Sequence, residues 1–136
     1  EGCVYQITLD GKITDAVGPG QSVVPGPNGV ERFGKNGLLL GDFFTGNIVR
    51  KTAKGKLRVI AKGFRGADAV GPAGNGAIYV SSWTQGKVWK LTENGKKTQV
   101  ILEGLKSAAD FFIDRKAKKL IVPDMLGGTL TFVDIK

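Results

Sequence analysis

Three oxygen-bearing side chains recur along this sequence at nearly equal intervals. Asn28, Asp68 and Asp110 are 40 and 42 residues apart, in a chain without histidine. Hard divalent cations such as Ca²⁺, Mg²⁺ or Mn²⁺ prefer amide and carboxylate oxygens, and two carboxylates held close together either bind a cation or raise a pKa. If the fold brings the three together, we therefore expect a divalent-cation site. The competing interpretation is that each side chain caps a turn by bonding neighbouring backbone N–H groups.

Glycines mark the repeat that spaces these residues. The anchor glycines, 44, 40 and 42 residues apart, are Gly2, Gly46, Gly86 and Gly128. An alternating apolar run opens two residues after each anchor. Nine residues after the first three anchors comes a further glycine in a turn signal: Asp10-Gly11, Lys54-Gly55 and Asn94-Gly95. These pairs predict two-residue hairpin turns, in which glycine supplies a positive φ without strain.

Each repeat predicts four short strands, named A to D, within about 40 residues. Strand A is predicted near 29–33, 69–71 and 111–113. A period of roughly 40 to 45 residues with four strands per unit is typical of β-propeller blades, which must stack around a ring to bury their faces. We therefore predict an all-β fold of antiparallel four-stranded blades, about three of them, which make half of a six-bladed ring.

The repeat also predicts how one domain, 1–136, is divided. Residues 1–19 would hold strands C and D of a first blade, 20–62 and 63–104 two full blades, and 105–136 a last blade without its strand D. Propeller rings are commonly closed by pairing terminal strands, which removes exposed edges. The partner that completes the ring is therefore either an N-terminal half of the same propeller or a second copy of this chain.

A second set of repeated residues follows the first by 14 residues. Its polar members are Asp42, Ser82 and Asp124, and the next residues are Phe43, Trp83 and Met125. Strand B runs antiparallel to strand A, so its end would lie at the channel mouth where strand A begins. We expect a second polar ring and an apolar rim there, in contact with a small-molecule ligand. Turn capping by the polar members and packing between blades by the apolar ones are the alternatives.

Composition excludes several classes of protein. The 136 residues are 41% hydrophobic and 24% charged, which is typical of a folded globular domain. The net charge of +8 comes from scattered basic residues with no nucleic-acid-binding motif, so we expect no nucleic-acid partner. No apolar run approaches the ~20 residues that span a bilayer, so we expect no membrane partner. Cys3 is the only cysteine, which excludes an internal disulfide.

Short motifs around the repeated residues resemble a known superfamily. The segment Gly26 to Val30, GPNGV, resembles the P-N-G motif of strand A in the SMP-30/gluconolactonase/LRE-like propellers. The segment Gly66 to Val70, GADAV, resembles the next motif, P-D-G, with alanine in place of both proline and glycine. The pattern from Ile78 to Leu91 is similar to the strand B–C unit of that superfamily and of NHL repeats. The resemblance is to the C-terminal half of a six-bladed propeller.

This resemblance implies a metal site and, in some members, lactone hydrolysis. By motif, Asn28 would be a metal ligand, and Asp68 would be both a ligand and the base toward the attacking water. The implied cofactor is a divalent cation, Ca²⁺ first, with Mg²⁺, Mn²⁺ or Zn²⁺ as alternatives. The glutamate ligand of the superfamily comes from an earlier blade that this sequence does not contain. Members that resemble this chain are often bacterial and exported, which favours a periplasmic or secreted protein.

Three functions fit these observations. The first is a metal-dependent lactonase-type hydrolase that is complete only with further blades. The second is a non-catalytic propeller that binds a ligand or a protein, as NHL-type propellers do, because a fold does not by itself define an activity. The third is a half-propeller that assembles with a second copy.

Overall fold

Short antiparallel strands account for the secondary structure of the chain. The computed structural model describes residues 2–74, 76–92 and 95–135. Within these residues thirteen strands form four sheets, and there is no helix. The part of the chain that the structure describes therefore also lacks any helix able to cross a membrane.

Each sheet follows the chain in sequence order, as propeller blades do. The first blade pairs β1 (Val4–Ile7) with β2 (Ile13–Val17). The second blade contains β3 (Pro27–Phe33), β4 (Gly37–Asp42), β5 (Ile48–Lys51) and β6 (Leu57–Ala61). The third blade contains β7 (Ala67–Gly74), β8 (Ala77–Ser82), β9 (Lys87–Leu91) and β10 (Thr98–Leu102). The fourth blade contains β11 (Phe112–Asp114), β12 (Lys119–Asp124) and β13 (Thr129–Asp134). The predicted fold class is confirmed: the sheets are antiparallel blades that make half of a propeller.

Apolar residues on the second strand of each blade hold neighbouring blades together. Side chains alternate between the two faces of a strand, so Leu39 and Leu40 bury against different neighbours. Leu39 belongs to the cluster shared with Ile78 and Val80 of the third blade, and Leu40 to the cluster shared with Val17 of the first. Both faces of these central strands are thus buried, which explains why their sequences read as continuous apolar runs.

The same arrangement joins the third blade to the fourth. Tyr79 and Val88 bury against Leu120 and Val122 of the fourth blade. Tyr79 lies between Ile78 and Val80 in β8, and these two neighbours pack on the opposite face of the strand, against the second blade. Replacing such a fully buried leucine or isoleucine with alanine typically costs about 2–5 kcal/mol, so the blade contacts account for a large part of the stability.

The hairpin turns differ from the sequence prediction in their length. The N–H of Thr8 donates to the carbonyl of Lys12, and the N–H of Gly11 donates to the carbonyl of Thr8. The loop therefore has three residues rather than two, and Gly11 takes the positive φ, 85°, that a G1 bulge requires. Thr52 and Lys56 close an equivalent loop at Gly55. At the third turn Thr92 bonds Lys97, and Asn94 lies outside the described residues.

Candidate functional site

A single cavity brings the three repeated oxygen-bearing residues together. Asn28, Asp68 and Asp110 all line it, and its volume is about 490 Å³. Its lining combines the apolar residues Val30, Val70, Phe111 and Ile113 with the charged side chains of Glu31 and Arg115. The cavity lies where the second, third and fourth blades meet, which is the position of the central channel in a propeller.

The innermost strands place these residues at equivalent points. Asn28 and Asp68 are each the second residue of their strand, β3 and β7. Asp110 instead precedes β11 by two residues, because that strand begins at Phe112, one residue later than predicted. The strands approach closely at Gly29, where an added methyl group would lie 2.6 Å from the carbonyl oxygen of Asp68. The missing side chain at Gly29 thus lets Asn28 come beside Asp68.

Burial and like charge act together on Asp68. Its carboxyl group is half-buried, whereas Asn28 and Asp110 are exposed. Burial raises the pKa of Asp68 above its usual range, the charge of Asp110 raises it further, and a hydrogen bond from Asn28 opposes both effects. A nearby cation or a bound proton would therefore remove the unfavourable effect of burial and like charge on the Asp68 carboxylate.

The donor set fits a hard cation but is small. In residues 2–74, 76–92 and 95–135 no group of three or more histidine, cysteine, aspartate or glutamate side chains could hold a metal ion. The cavity offers three carboxylates, those of Glu31, Asp68 and Asp110, and the amide of Asn28. One oxygen of Asp110 accepts the N–H of Phe111 at 2.7 Å, and one oxygen of Glu31 accepts the N–H of Arg32 at 2.7 Å. Ca²⁺ takes six to eight oxygen ligands, so these side chains would be only part of its coordination. Their role as ligands stays a prediction.

The second polar set has a different surrounding. Asp42, Ser82 and Asp124 are buried, and none of them lines the central cavity. The Asp42 carboxylate accepts hydrogen bonds from the N–H of Gly26 at 2.5 Å and from the N–H and hydroxyl of Thr45 at 2.7 and 2.6 Å. These bonds join the turn between β4 and β5 to the link that precedes β3.

The equivalent residues of the next two blades make the same connection. The Ser82 hydroxyl donates to the carbonyl of Arg65 at 2.6 Å and accepts the N–H of Gln85 at 3.1 Å. The Asp124 carboxylate accepts N–H groups from three residues, at 2.9 to 3.0 Å: Lys106, Ser107 and Gly127. The turn-capping interpretation that the sequence left open accounts for all these bonds, so the three residues position the turns rather than line the cavity.

The apolar residues that follow them form two kinds of contact. Phe43 packs against Trp83 of the next blade, with ring centroids 6.4 Å apart, and both are half-buried. That pair serves packing between blades, as the alternative interpretation supposed. Met125 is 67% exposed and lies open at the rim. All three residues also hold the link before the innermost strand through their backbone. The N–H groups of Phe43, Trp83 and Met125 donate to the carbonyls of Gly26, Gly66 and Ser107 respectively.

Sequence reasoning missed other residues of this region. Ser107 is buried, and its hydroxyl accepts the N–H of Leu126 at 2.7 Å. Phe44 and Leu126 are exposed apolar residues in the same turns as Phe43 and Met125. The sequence did contain a signal for them, because Phe44 follows Phe43 and Leu126 follows Met125 at equivalent positions of two repeats. Arg115 lines the cavity and donates to the carbonyl of Pro72 at 2.9 Å, and no repeat position marks it.

The hydrogen bonds that the Asp124 carboxylate accepts should make the free energy of unfolding depend on pH. The N–H groups of Lys106, Gly127 and Ser107 lower the pKa of Asp124 below its usual range. A lowered folded-state pKa stabilises the fold above the unfolded value of about 3.9 and loses that contribution as the pH falls through the folded value. We expect wild type to be more stable than Asp124→Asn at pH 7, and the difference to shrink below about pH 4. Urea unfolding midpoints at pH 7, 4 and 3 measure this; a difference independent of pH would contradict it.

These features define the chain as a set of β-propeller blades around a central cavity. No family model matches the sequence, and no curated protein matches it. Among solved structures, a gluconolactonase from Xanthomonas campestris is similar, with a TM-score of 0.74 and 16% identity over 98% of this chain and 44% of that one. A calcium-binding protein, regucalcin, from Agrobacterium tumefaciens has a TM-score of 0.74 and 18% identity over 98% and 52% of the two chains.

A third solved structure extends the likeness to a lyase. Virginiamycin B lyase from Staphylococcus aureus, in a catalytically inactive form with quinupristin, has a TM-score of 0.64 and 16% identity over 98% of this chain and 48% of that one. All three are propellers of the SMP-30 and NHL-like kind, so the resemblance seen in the sequence is confirmed for the fold. The chain spans about half the length of each of these three proteins.

Proposed function

We propose that this chain supplies half of a propeller whose central cavity binds a divalent cation, Ca²⁺ first, and hydrolyses a lactone or related ester. The observation that carries the proposal is the convergence of Asn28, Asp68 and Asp110 on one cavity of about 490 Å³. The carboxylate and amide oxygens that line the cavity suit a hard cation.

The chemistry assigned to the chain's own residues is proton transfer and orientation. Asp68 would accept a proton from the attacking water as a C–O bond forms to the lactone carbonyl carbon. The ring C–O bond then breaks, and the proton passes to the leaving oxygen, which gives a hydroxy acid. In the metal-free protein, burial and Asp110 raise the pKa of Asp68, so its carboxylate would be a stronger base than that of an exposed aspartate. A cation bound beside it would lower this pKa again. A bound cation would polarise the carbonyl and lower the pKa of bound water.

Two of the similar structures support this proposal. One is described as a gluconolactonase and another as a calcium-binding protein. Their identities to this chain are 16% and 18%, and likeness at this level supports a shared fold. Lactone hydrolysis and cation binding by this chain are therefore our proposals. A non-catalytic, ligand-binding propeller is the second candidate, because the four carboxylate and amide side chains that line the cavity are fewer than the six to eight oxygen ligands of Ca²⁺.

Apolar outer faces support further blades on either side of this half ring. Phe112, Leu130 and Phe132 are more than half exposed on the fourth blade. Leu130 is the repeat equivalent of Ile48 and Val88, which are fully buried between blades. We propose that other blades cover this face, either from an N-terminal half or from a second copy. The solution mass by light scattering separates a monomer of 14.4 kDa from a dimer.

Calcium titration combined with a lactone assay tests the proposed function. Calorimetry should show Ca²⁺ binding to wild type, and titration of released acid should show Ca²⁺-dependent hydrolysis that a chelator stops. Asp134→Asn is the matched control: it removes a carboxylate outside the central cavity that forms a surface ion pair with Lys119. It should leave both results unchanged. Binding without hydrolysis would support the non-catalytic candidate, and the absence of both would overturn the proposal.

A further inference from the structure

The turns above the central cavity carry apolar rather than charged side chains. The turns 43–47, 83–86 and 125–128 contain no lysine, arginine, aspartate or glutamate. Turns at the opposite end of the blades are basic: 52–56 and 115–118 together contain five lysines and arginines. Because paired strands run antiparallel, the uncharged turns lie at the end where the innermost strands begin, which is also the end of Asn28 and Asp68.

Several of these apolar side chains are open to solvent. Phe44 and Met125 are each 67% exposed and Leu126 is 58% exposed, while Phe43 and Trp83 are half-buried. We call these five residues the apolar rim. It extends over the second, third and fourth blades, the same three blades that supply Asn28, Asp68 and Asp110. None of the five lines the cavity itself, but exposed apolar groups beside a cavity are characteristic of ligand-binding surfaces.

Backbone hydrogen bonds place the rim close to the cavity residues. The N–H of Phe43 donates to the carbonyl of Gly26, which is two residues before Asn28. The N–H of Trp83 donates to the carbonyl of Gly66, two residues before Asp68. An extended chain rises about 3.3 Å per residue, so two residues correspond to roughly 7 Å. A ligand seated at Asn28 and Asp68 would therefore reach the rim with a substituent only a few bonds long.

The turns that carry the rim are held in place by hydrogen bonds to the buried carboxylates of Asp42 and Asp124. Asp42, directly before Phe43, bonds the N–H of Thr45 and of Gly26. Asp124, directly before Met125, bonds Ser107 and Gly127. Because these bonds are already formed in the free protein, a ligand would not need to order the turns, and pre-organisation of this kind lowers the cost of binding.

We infer that the ligand of this cavity carries an apolar alkyl or aryl substituent that lies on the apolar rim. The inference rests on the proposed function and names its substrate class: lactones with a hydrocarbon side chain, rather than lactones whose ring bears only hydroxyl groups. Each methylene that leaves water on binding should improve binding by up to roughly fourfold. A hexyl chain that is partly covered by the rim should then favour binding by about tenfold to a hundredfold.

A pair of lactones that differ only in the side chain tests the inference. With Ca²⁺ present, we expect kcat/KM for δ-undecalactone to exceed that for δ-valerolactone by at least about tenfold, and glucono-δ-lactone to be the poorest substrate. In the double variant Met125→Ser, Leu126→Ser this preference should fall severalfold. Leu9→Ser is the matched control, since Leu9 is a fully exposed leucine on the first blade, and it should keep the wild-type ratio.

A binding measurement separates this inference from the proposed activity. The lactams 6-hexylpiperidin-2-one and piperidin-2-one resist hydrolysis, and their binding can be followed by Trp83 fluorescence, with Trp83→Phe to subtract the signal of Trp89. If neither lactone is hydrolysed but the hexyl lactam binds at least about tenfold more tightly, the activity fails and the ligand class stands. Equal affinities, no binding of either lactam, or a preference for glucono-δ-lactone would overturn the inference.

Discussion

Replacing Gly86 with alanine should lower the free energy of unfolding by about 2–5 kcal/mol. Gly86 has a φ of +60°, and a methyl group there would lie 1.9 Å from the carbonyl oxygen of Leu105. A left-handed conformation costs a residue with a side chain roughly 1–2 kcal/mol, and overpacking adds about 1–3 kcal/mol. The clash cannot be relieved by a rotamer change because the opposing atom belongs to the backbone, and Leu105 also donates its N–H to the Gly86 carbonyl at 3.2 Å.

Gly55→Ala separates the two contributions. Gly55 also has a positive φ, +84°, but nothing lies within 4 Å of the position a methyl group would take. This variant should therefore lose only the conformational part, about 1–2 kcal/mol. Urea unfolding of both variants, followed by tryptophan fluorescence, gives the comparison. Equal losses in the two variants would show that the link at Leu105 moves freely away from Gly86, and the contact would then have no structural role.

The anchor glycines also explain why the repeat was visible in the sequence. At Gly46 and Gly86 the chain between two blades crosses the turn, and a methyl group would lie 2.3 Å from the N of Arg65 and 1.9 Å from the O of Leu105. At these two anchors the crossing excludes a side chain, so a glycine recurs there at the period of the blade. At Gly128 nothing lies within 4 Å, because no outer strand follows β13 in the described residues. The blade period was thus predictable from a local steric requirement.

The site was predictable only in part, and the reason is chemical. Equivalent positions in a repeat must converge, so the meeting of Asn28 with Asp68 followed from spacing alone. Asp42 and Asp124 recur equally well, yet their carboxylates bond backbone N–H groups. A carboxylate that caps a turn and one that faces a cavity have the same residue type and the same period. The two roles differ only in whether backbone N–H donors lie near the carboxylate. That depends on how the link before the innermost strand folds back on the turn, which the sequence does not show.

Replacing Asp68 with asparagine should have opposite effects on stability without and with Ca²⁺. In the metal-free protein the Asp68 charge is disfavoured by burial and by the nearby charge of Asp110, which together raise its pKa. Asparagine removes the charge and keeps the shape, so the melting temperature in chelator should rise by a few degrees. The folded-state pKa is raised, so the destabilisation is greatest at neutral pH and disappears below the unfolded pKa of about 3.9, where the carboxyl is protonated in both states. The gain of the variant should therefore vanish in acid.

The proposed cation site predicts the reverse effect when Ca²⁺ is added. A ligand that binds only the folded state raises its stability in proportion to the logarithm of the ligand concentration over Kd. Wild type should melt at a higher temperature in excess Ca²⁺, and Asp68→Asn should lose most of this increase, with an affinity at least about tenfold lower. Calorimetry measures the affinity directly, and thermal unfolding in chelator and in Ca²⁺ measures both effects on one sample.

Two further variants serve as controls for Asp68→Asn. Asp110→Asn tests whether the gain in stability requires burial, and Asp134→Asn tests whether the loss of Ca²⁺ affinity requires a position in the cavity. Asp110 lines the cavity but is exposed, so its variant should lose Ca²⁺ affinity and gain little stability in chelator. Asp134 lies outside the cavity, and its variant should change neither. If Asp68→Asn instead melts at a lower temperature in chelator, the hydrogen bond from Asn28 outweighs burial and repulsion. The carboxylate would then stabilise the fold by itself, and its presence would need no cation to explain it.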